Sequence, residues 1–476
     1  VQKFHPRPDA VPGPTAFRLS DAQLVLARRY GFPSWAALRR RVAVVAEHGR
    51  SPHLVPVIED DAPEHRADRM LRLGCLVYGG DDLDRHSKAA DLLAAAPGLA
   101  ERDIWTAAGA GNAIHVCRLL ADDATLVNCA GGPFGWVPLL YLTYSRIHVD
   151  TPMCSPLRTA DVLLTAGADP DAGYLWDGTY PFTALTGALG GGEDKTNQPP
   201  HRDAQALARL LLEAGADPND SQALYNRQFD PDDSHLRLLI EFGLGKGRGG
   251  PWHTRLNSSH GKPAQLLEDQ LSVAASENRP EWARLALDAG AAPDGKGTAH
   301  PIFKGRTPHE LAVHRGNREV ADILLAAGAA PMPLDPVDAF LAACMAMQVE
   351  EVERIAAEQP ALVAQALARR PHAVADAAGL GRPELIHLLA RVGFGVNVLA
   401  RNTPLHQAAY HGDVAVVRAL LQHGADHDCK DRSYGSPPLA WAEHARQDAV
   451  IEILQGVTTP RLPDGSWSSG RPGAPT

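Results

Sequence analysis

The sequence predicts an all-α solenoid of about eleven stacked helix pairs, joined by short hairpin loops and broken by irregular insertions in its middle repeats. Three observations predict it. An apolar helix ending in Gly-Ala-Asp recurs, as Val162 to Pro170 and Leu210 to Asn219, with variants at Leu285 to Pro293, Ile323 to Ala329, Leu388 to Asn397 and Leu420 to Asp426. In each copy Gly follows the last apolar turn, where a chain leaving a helix needs left-handed geometry. A second element, Thr-Pro or Ser-Pro followed by an apolar helix, recurs at Thr307-Pro308, Thr403-Pro404 and Ser436-Pro437-Pro438. Thr or Ser caps such a helix, and Pro fits its first position because no N–H partner is lost there. The spacing is regular: Pro404 and Pro438 lie 34 residues apart, Gly393 and Gly424 lie 31 apart.

Taken in order, Val1 to Pro14 is polar and proline-rich, without the charged-then-apolar order of a signal peptide. Leu19-Ser20-Asp21-Ala22 reads as a helix start and Pro33-Ser34-Trp35 begins the next helix, so residues 1–65 read as an N-terminal extension and helical cap. Residues 66–456 hold the repeats. One such pair cannot bury its apolar face alone, so neighbours stack. Within 134–262 the pattern is irregular, with insertions at Ile147 to Cys154, Gly190 to Pro200, and Gly243 to Lys262. Residues 457–476, rich in Pro, Gly and Ser, read as a flexible tail.

Composition excludes several classes. The 476 residues carry a formal charge of −10, and the one dense basic run is Arg39-Arg40-Arg41. Neutralising phosphates requires clustered Lys and Arg, so no nucleic-acid partner is expected. No apolar stretch approaches the ~20 residues that span a bilayer, so no membrane partner is expected either. The six cysteines are scattered, without the paired spacing of a disulfide framework or a zinc site. Reduced thiols and a cytoplasmic location are the simplest expectation.

Thr403-Pro404-Leu405-His406-Gln407-Ala408-Ala409, followed by Gly412-Asp413, resembles the ankyrin repeat, a ~33-residue unit with a T-P-L-H-x-A signature. Arg306 to Ala312 with Gly316-Asn317 repeats it, while units between about 66 and 300 match mainly through their second helices. The resemblance implies that His406 and Thr403 join a hydrogen-bond network between neighbouring hairpins. At His309 and Glu310, which stand where the signature has Leu and His, that network is in doubt. Ser20 to Trp35 resembles the N-terminal cap of large bacterial, particularly actinobacterial, ankyrin proteins. That resemblance implies a protein-binding scaffold, or membership of a minority that matures polyketide-like products.

Aromatic residues follow the insertions. Residues 134–252, a quarter of the chain, hold 12 of its 27 Phe, Trp and Tyr residues. Polar groups accompany them: Arg146, His148, Asp177, His201, Tyr225-Asn226-Arg227, Asp230, Asp232-Asp233 and His253. An apolar cavity with a few convergent polar groups is the usual form of a small-molecule site. The expected site uses Tyr225, Arg227, His253 and Asp177 as acid, base and enolate-steadying groups. Its walls are Trp136, Tyr144, Trp176, Tyr180, Phe182 and Trp252. Without a cofactor motif or nucleophile elbow, the chemistry expected is proton transfer: dehydration, or Michael-type cyclisation, of a polyketide-like substrate. The bland alternative for each ring is that it fills a gap in a degenerate repeat. The alternative for the whole chain is a non-catalytic scaffold for another protein.

No cofactor or metal is expected. His423, His427 and Cys429 lie near one another, but no fourth residue has zinc-ligand spacing. The glycine-rich Gly243 to Gly250 lacks the Gly-Lys-Ser/Thr of a phosphate loop and reads as a mobile loop over the groove. Asp232-Asp233 reads as the cap of a helix beginning near Ser234.

Overall fold

The structure is a computed structural model that describes residues 18–57, 62–148, 154–256, 261–303 and 305–457. The N-terminal extension before Arg18, the middle of the first insertion and the tail beyond Val457 lie outside the described residues. The chain divides into two compact units, residues 1–270 with 288–291, and residues 271–287 with 292–476.

The first unit begins with α1 (Leu19–Arg29), α2 (Trp35–His48) and strand β1 (Gly49–Arg50). Then come α3 (Pro63–Gly74), α4 (Leu83–Ala95), α5 (Ile104–Gly109), α6 (Ala113–Asp122), α7 (Pro138–Tyr144) and α8 (Pro156–Thr165). Strands β2 (Gly173–Trp176) and β3 (Tyr180–Thr183) precede α9 (Ala184–Leu189), α10 (Ala204–Glu213), α11 (Ser221–Arg227), α12 (Ser234–Glu241) and α13 (Pro251–Leu256). Helices α5, α7, α9 and α11 pack in succession on one side, and α6, α8, α10 and α12 on the other. Short polar side chains start these helices by accepting first-turn N–H groups. Ser34 Oγ accepts from Ala37, Asp103 Oδ1 from Thr106, Asn112 Oδ1 from His115 and Thr183 Oγ1 from Thr186.

A small sheet interrupts the helices. β2 and β3 form an antiparallel hairpin with Tyr174 opposite Phe182 and Trp176 opposite Tyr180. β1 adds to it in parallel, Gly49 opposite Leu175 and Arg50 opposite Trp176. The turn is the Asp177-Gly178 pair, both at positive φ (47° and 66°), as hairpin turns of this composition favour.

After α14 (Pro263–Glu277), the second unit contains α15 (Pro280–Asp288), α16 (Pro308–Arg315), α17 (Arg318–Ala326), α18 (Pro336–Met345), α19 (Val349–Glu358) and α20 (Pro360–Arg369). It continues with α21 (Ala373–Gly379), α22 (Pro383–Arg391), α23 (Pro404–His411), α24 (Val414–Gln422), α25 (Pro438–His444) and α26 (Asp448–Val457). Its core is aliphatic and small, with Leu385, Leu388, Leu405, Val417 and Leu420 buried beside Ala377, Ala378, Ala408, Ala409 and Ala442. The alanines let successive helices approach closely. Thr307 and Thr403 form capping boxes at the starts of α16 and α23, and Gly316 and Gly412 end those helices in left-handed geometry. In chain order α3 to α26 make eleven consecutive pairs, with α13 and α20 left over, so the fold is the all-α repeat solenoid that the periodicity predicts.

Candidate functional site

The rings expected to wall a cavity instead pack on one another. Trp136 lies 4.6 Å from Phe134, 5.1 Å from Tyr144 and 5.0 Å from Tyr174, measured between ring centres. Phe182 extends the cluster to Tyr174, Trp176 and Tyr78, and His53 stacks on Trp176 at 4.6 Å. Trp136 and Tyr144 are 1% and 0% exposed. Two polar ends go to backbone: Tyr144 Oη donates to Thr183 O at 2.9 Å, and Trp176 Nε1 donates to Val77 O at 2.9 Å, while Trp136 Nε1 has no partner among the described residues. Trp252 belongs to a separate cluster with Leu175 and Leu256, donates to Asp171 O at 3.0 Å and lies under Arg255. Tyr180 stands outside both clusters, 54% exposed.

The four polar candidates each have their own partners. Tyr225 Oη donates to Glu193 Oε1 at 2.7 Å, and burial followed by that carboxylate raises its pKa. His253 Nδ1 lies 3.2 Å from Asp217 Oδ2. Burial alone would raise Asp217, but bonds from His253, Asn219 and the Gly250 N–H overcome it and hold the carboxyl at about 2. Asp177 is exposed at the hairpin turn, and its N–H donates to Arg50 O at 3.1 Å. Arg227 is buried, with Nη2 3.2 Å from Asp230 and 3.4 Å from Asp232.

Arg146 and Asp220 are two further buried ionisable groups of this region. Arg146, 1% exposed, has no carboxylate partner among the described residues; it donates to four carbonyls, Pro199, Thr143, Ser145 and Gly187. It thereby pins both ends of the second insertion, and Gly190 must be glycine because a Cβ there would meet Pro199 O at 2.6 Å. Burial, the largest influence, lowers its pKa to about 10, so it stays charged at neutral pH. Asp220 caps α11 and accepts from Thr183 and Thr186 Oγ1.

The glycine-rich start of the third insertion, Gly243 to Gly250, is tethered rather than mobile over a groove. Asn219 Oδ1 accepts from Gly245 N at 2.8 Å, and Asp217 Oδ2 accepts from Gly250 N at 2.6 Å. Side chains of the preceding loop therefore satisfy this backbone. The expected cap at Asp232-Asp233 is also modified: Asp232 Oδ1 accepts from Ser234 N, while Asp233 turns to Arg237.

A recess of about 440 Å³ opens at the starts of α10 and α12. His201, Arg202, Asp203, Arg227, Asp232 and Ser234 line it, and no aromatic wall faces it. His201 and Arg227 meet here although no motif joins them. The structure thus separates the rings, packed as core, from the ionisable groups around this polar opening.

In the second unit, His406 Nδ1 pairs with Thr403 Oγ1 at 2.8 Å and its Nε2 with Ser436 O at 2.9 Å, the network the repeat signature implies. At the variant repeat, Glu310 Oε2 accepts from Thr307 N and His309 Nδ1 from Met332 N. His423 pairs with His387 at 2.9 Å between ring nitrogens.

A family model described as ankyrin repeats (3 copies) matches residues 374–459. Together with the repeated helix pairs this identifies the class: the chain is an ankyrin-repeat protein. Over 55 residues it is 47% identical to a serine/threonine-protein kinase, VIK of Arabidopsis thaliana. That match covers 12% of this chain and 12% of the kinase, so the chain spans only a small part of the relative's length. Among the described residues no helix is long and apolar enough to cross a membrane.

Proposed function

We propose that this ankyrin-repeat protein is a non-catalytic scaffold for protein–protein interaction. One observation carries the reading: most rings of 134–252 are spent on packing, while the matched repeats present exposed loop tips such as Tyr434, 71% exposed. The test uses the full chain as bait in its native host, beside a variant carrying Tyr434→Ser and Asp428→Lys. A prey enriched by the parent and lost with the variant, at unchanged circular dichroism, supports the reading. No enriched prey, or prey indifferent to the tips, overturns it.

The finer reading is acid/base catalysis on a polyketide-like substrate by Tyr225, Arg227, His253 and Asp177, with the rings as walls. What supports it is that all four groups belong to one unit, near the aromatic cluster in sequence. Replacing Tyr225, Arg227 and His253 together should abolish turnover of a β-hydroxy carbonyl substrate by a folded protein; turnover that persists ends the reading.

A further inference from the structure

The recess at the start of α10 has more hydrogen-bond donors than the chain itself uses. Asp203, at the N-cap, makes no side-chain bond to the helix, and the N–H groups of Gln205 and Ala206 have no acceptor among the described residues. Both residues line the recess. First-turn N–H groups carry the positive end of the helix dipole and attract anions.

A second observation points the same way. The His201 side chain is 4% exposed and lines the recess. Its Nδ1 accepts from Asp203 N at 3.0 Å, which places the proton of the neutral ring on Nε2. Burial, then the charges of Arg146, His148 and Arg202, drives its pKa down to about 2, so the ring is neutral at physiological pH. Nε2–H has no acceptor among the described residues. Arg227 completes the set, its bonds to Asp230 and Asp232 at 3.2 and 3.4 Å being longer than the ~2.7–2.9 Å of a tight charged pair.

The charge balance selects the ligand. Arg202 and Arg227 on the lining are matched by Asp203 and Asp232, and Asp230 shares Arg227 from outside it, so the site has no excess positive charge before the helix dipole is counted. A singly charged acceptor suits it, whereas a phosphate dianion would set a second negative charge beside two carboxylates. We propose that this recess binds a carboxylate group, held by the N–H groups of Gln205 and Ala206, His201 Nε2–H and Arg227. The site stands independently of the scaffold reading. The carboxylate belongs either to a small free acid or to an acidic side chain of another protein.

The experiment follows amide shifts of Gln205 and Ala206 in the full chain at constant ionic strength. The probes are sodium propionate, an acetylated and amidated Gly-Glu-Gly peptide, and inorganic phosphate. Saturable shifts with propionate or the peptide are expected, and the tighter of the two names the source. His201→Phe is the obvious variant but could disturb folding. Ala206→Asp is the second: the position is exposed, and a carboxylate in the first turn stabilises a helix while occupying the site. It should weaken the carboxylate by about tenfold or more. The proposal is overturned by no saturable shift with either carboxylate, by tighter binding of phosphate, or by undiminished binding to Ala206→Asp.

Discussion

Residues 134–256 and 337–457 build the same kind of helix pair by different means. In the later stretch the two helices of a pair are joined by a short link: only Gly412 and Asp413 separate α23 from α24, and an aliphatic core with alanine contacts suffices. In the earlier stretch residues 190–203 separate α9 from α10, and much of that connection is buried. Buried backbone must be hydrogen-bonded, and water cannot reach it. Arg146 supplies donors for the second insertion, Asp217 and Asn219 supply acceptors for the third, and large rings fill the space the missing regularity leaves. An enrichment of rings and charges beside insertions is therefore, first, the signature of long connections being held in place.

The comparison breaks if the rings are dispensable. Trp136→Ala should cost ~3–5 kcal/mol, the usual loss for a large buried aromatic, read from urea unfolding followed by circular dichroism. Tyr180→Ala, at an exposed ring of the β2–β3 hairpin, should cost under ~0.5 kcal/mol. A Trp136→Ala protein as stable as the parent would mean that this ring faces free space after all.

Arg146→Met comes next. Each of its four carbonyl acceptors loses a donor, and a loss of about 3 kcal/mol or more is expected. Arg354, exposed on α19 beside Glu351 and Glu358, is the matched control from the regular unit, and Arg354→Met should leave the unfolding midpoint where it is. Equal effects at the two arginines would remove the distinction between the regions.

How far these differences were legible in the sequence follows from their range. Helix starts and ends are local: Thr403-Pro404 and Gly412 announce α23 within a few residues, and the repeat resemblance identified the His406 network. Strand β1 is two residues long and pairs with Leu175 and Trp176 far along the chain, so no periodicity could reveal it. The aromatic concentration was visible, but composition does not distinguish rings that enclose space from rings that fill it. Arg146 and His201 were both noted beside the rings. Their roles depend on Pro199 O, and on which imidazole nitrogen is already engaged by Asp203, and neither fact is carried by a motif.

Protonation sharpens the comparison further. His86 and His201, both in the first unit, are pushed by burial, and then by Arg146, from the ordinary 6.5 to about 3 and about 2. Below pH 6.5 the unfolded chain binds protons that these folded rings refuse, so stability falls as pH falls toward those values. About 1 kcal/mol is expected for each histidine per pH unit through this window. His314, lowered to about 4, gives the second unit the same sign over a narrower range. Urea midpoints between pH 7 and pH 5 check this, and His201→Gln should flatten the slope. An unchanged slope would place His201 in contact with water in the folded protein.

The smallest effect separates the two readings of Asp177. A residue at φ +47° is held in left-handed geometry that Asp and Gly accept and branched side chains resist. If Asp177 serves the turn, Asp177→Gly changes stability by no more than ~0.5 kcal/mol, because relief of the backbone offsets the freer unfolded chain. Asp177→Val should then cost ~1–2 kcal/mol. If the carboxylate instead acts on a substrate, Gly and Val must abolish activity alike whatever they do to stability. Unfolding curves and an activity or binding assay on the same two variants decide it, because a turn orders them Gly above Val and a reacting group does not order them at all.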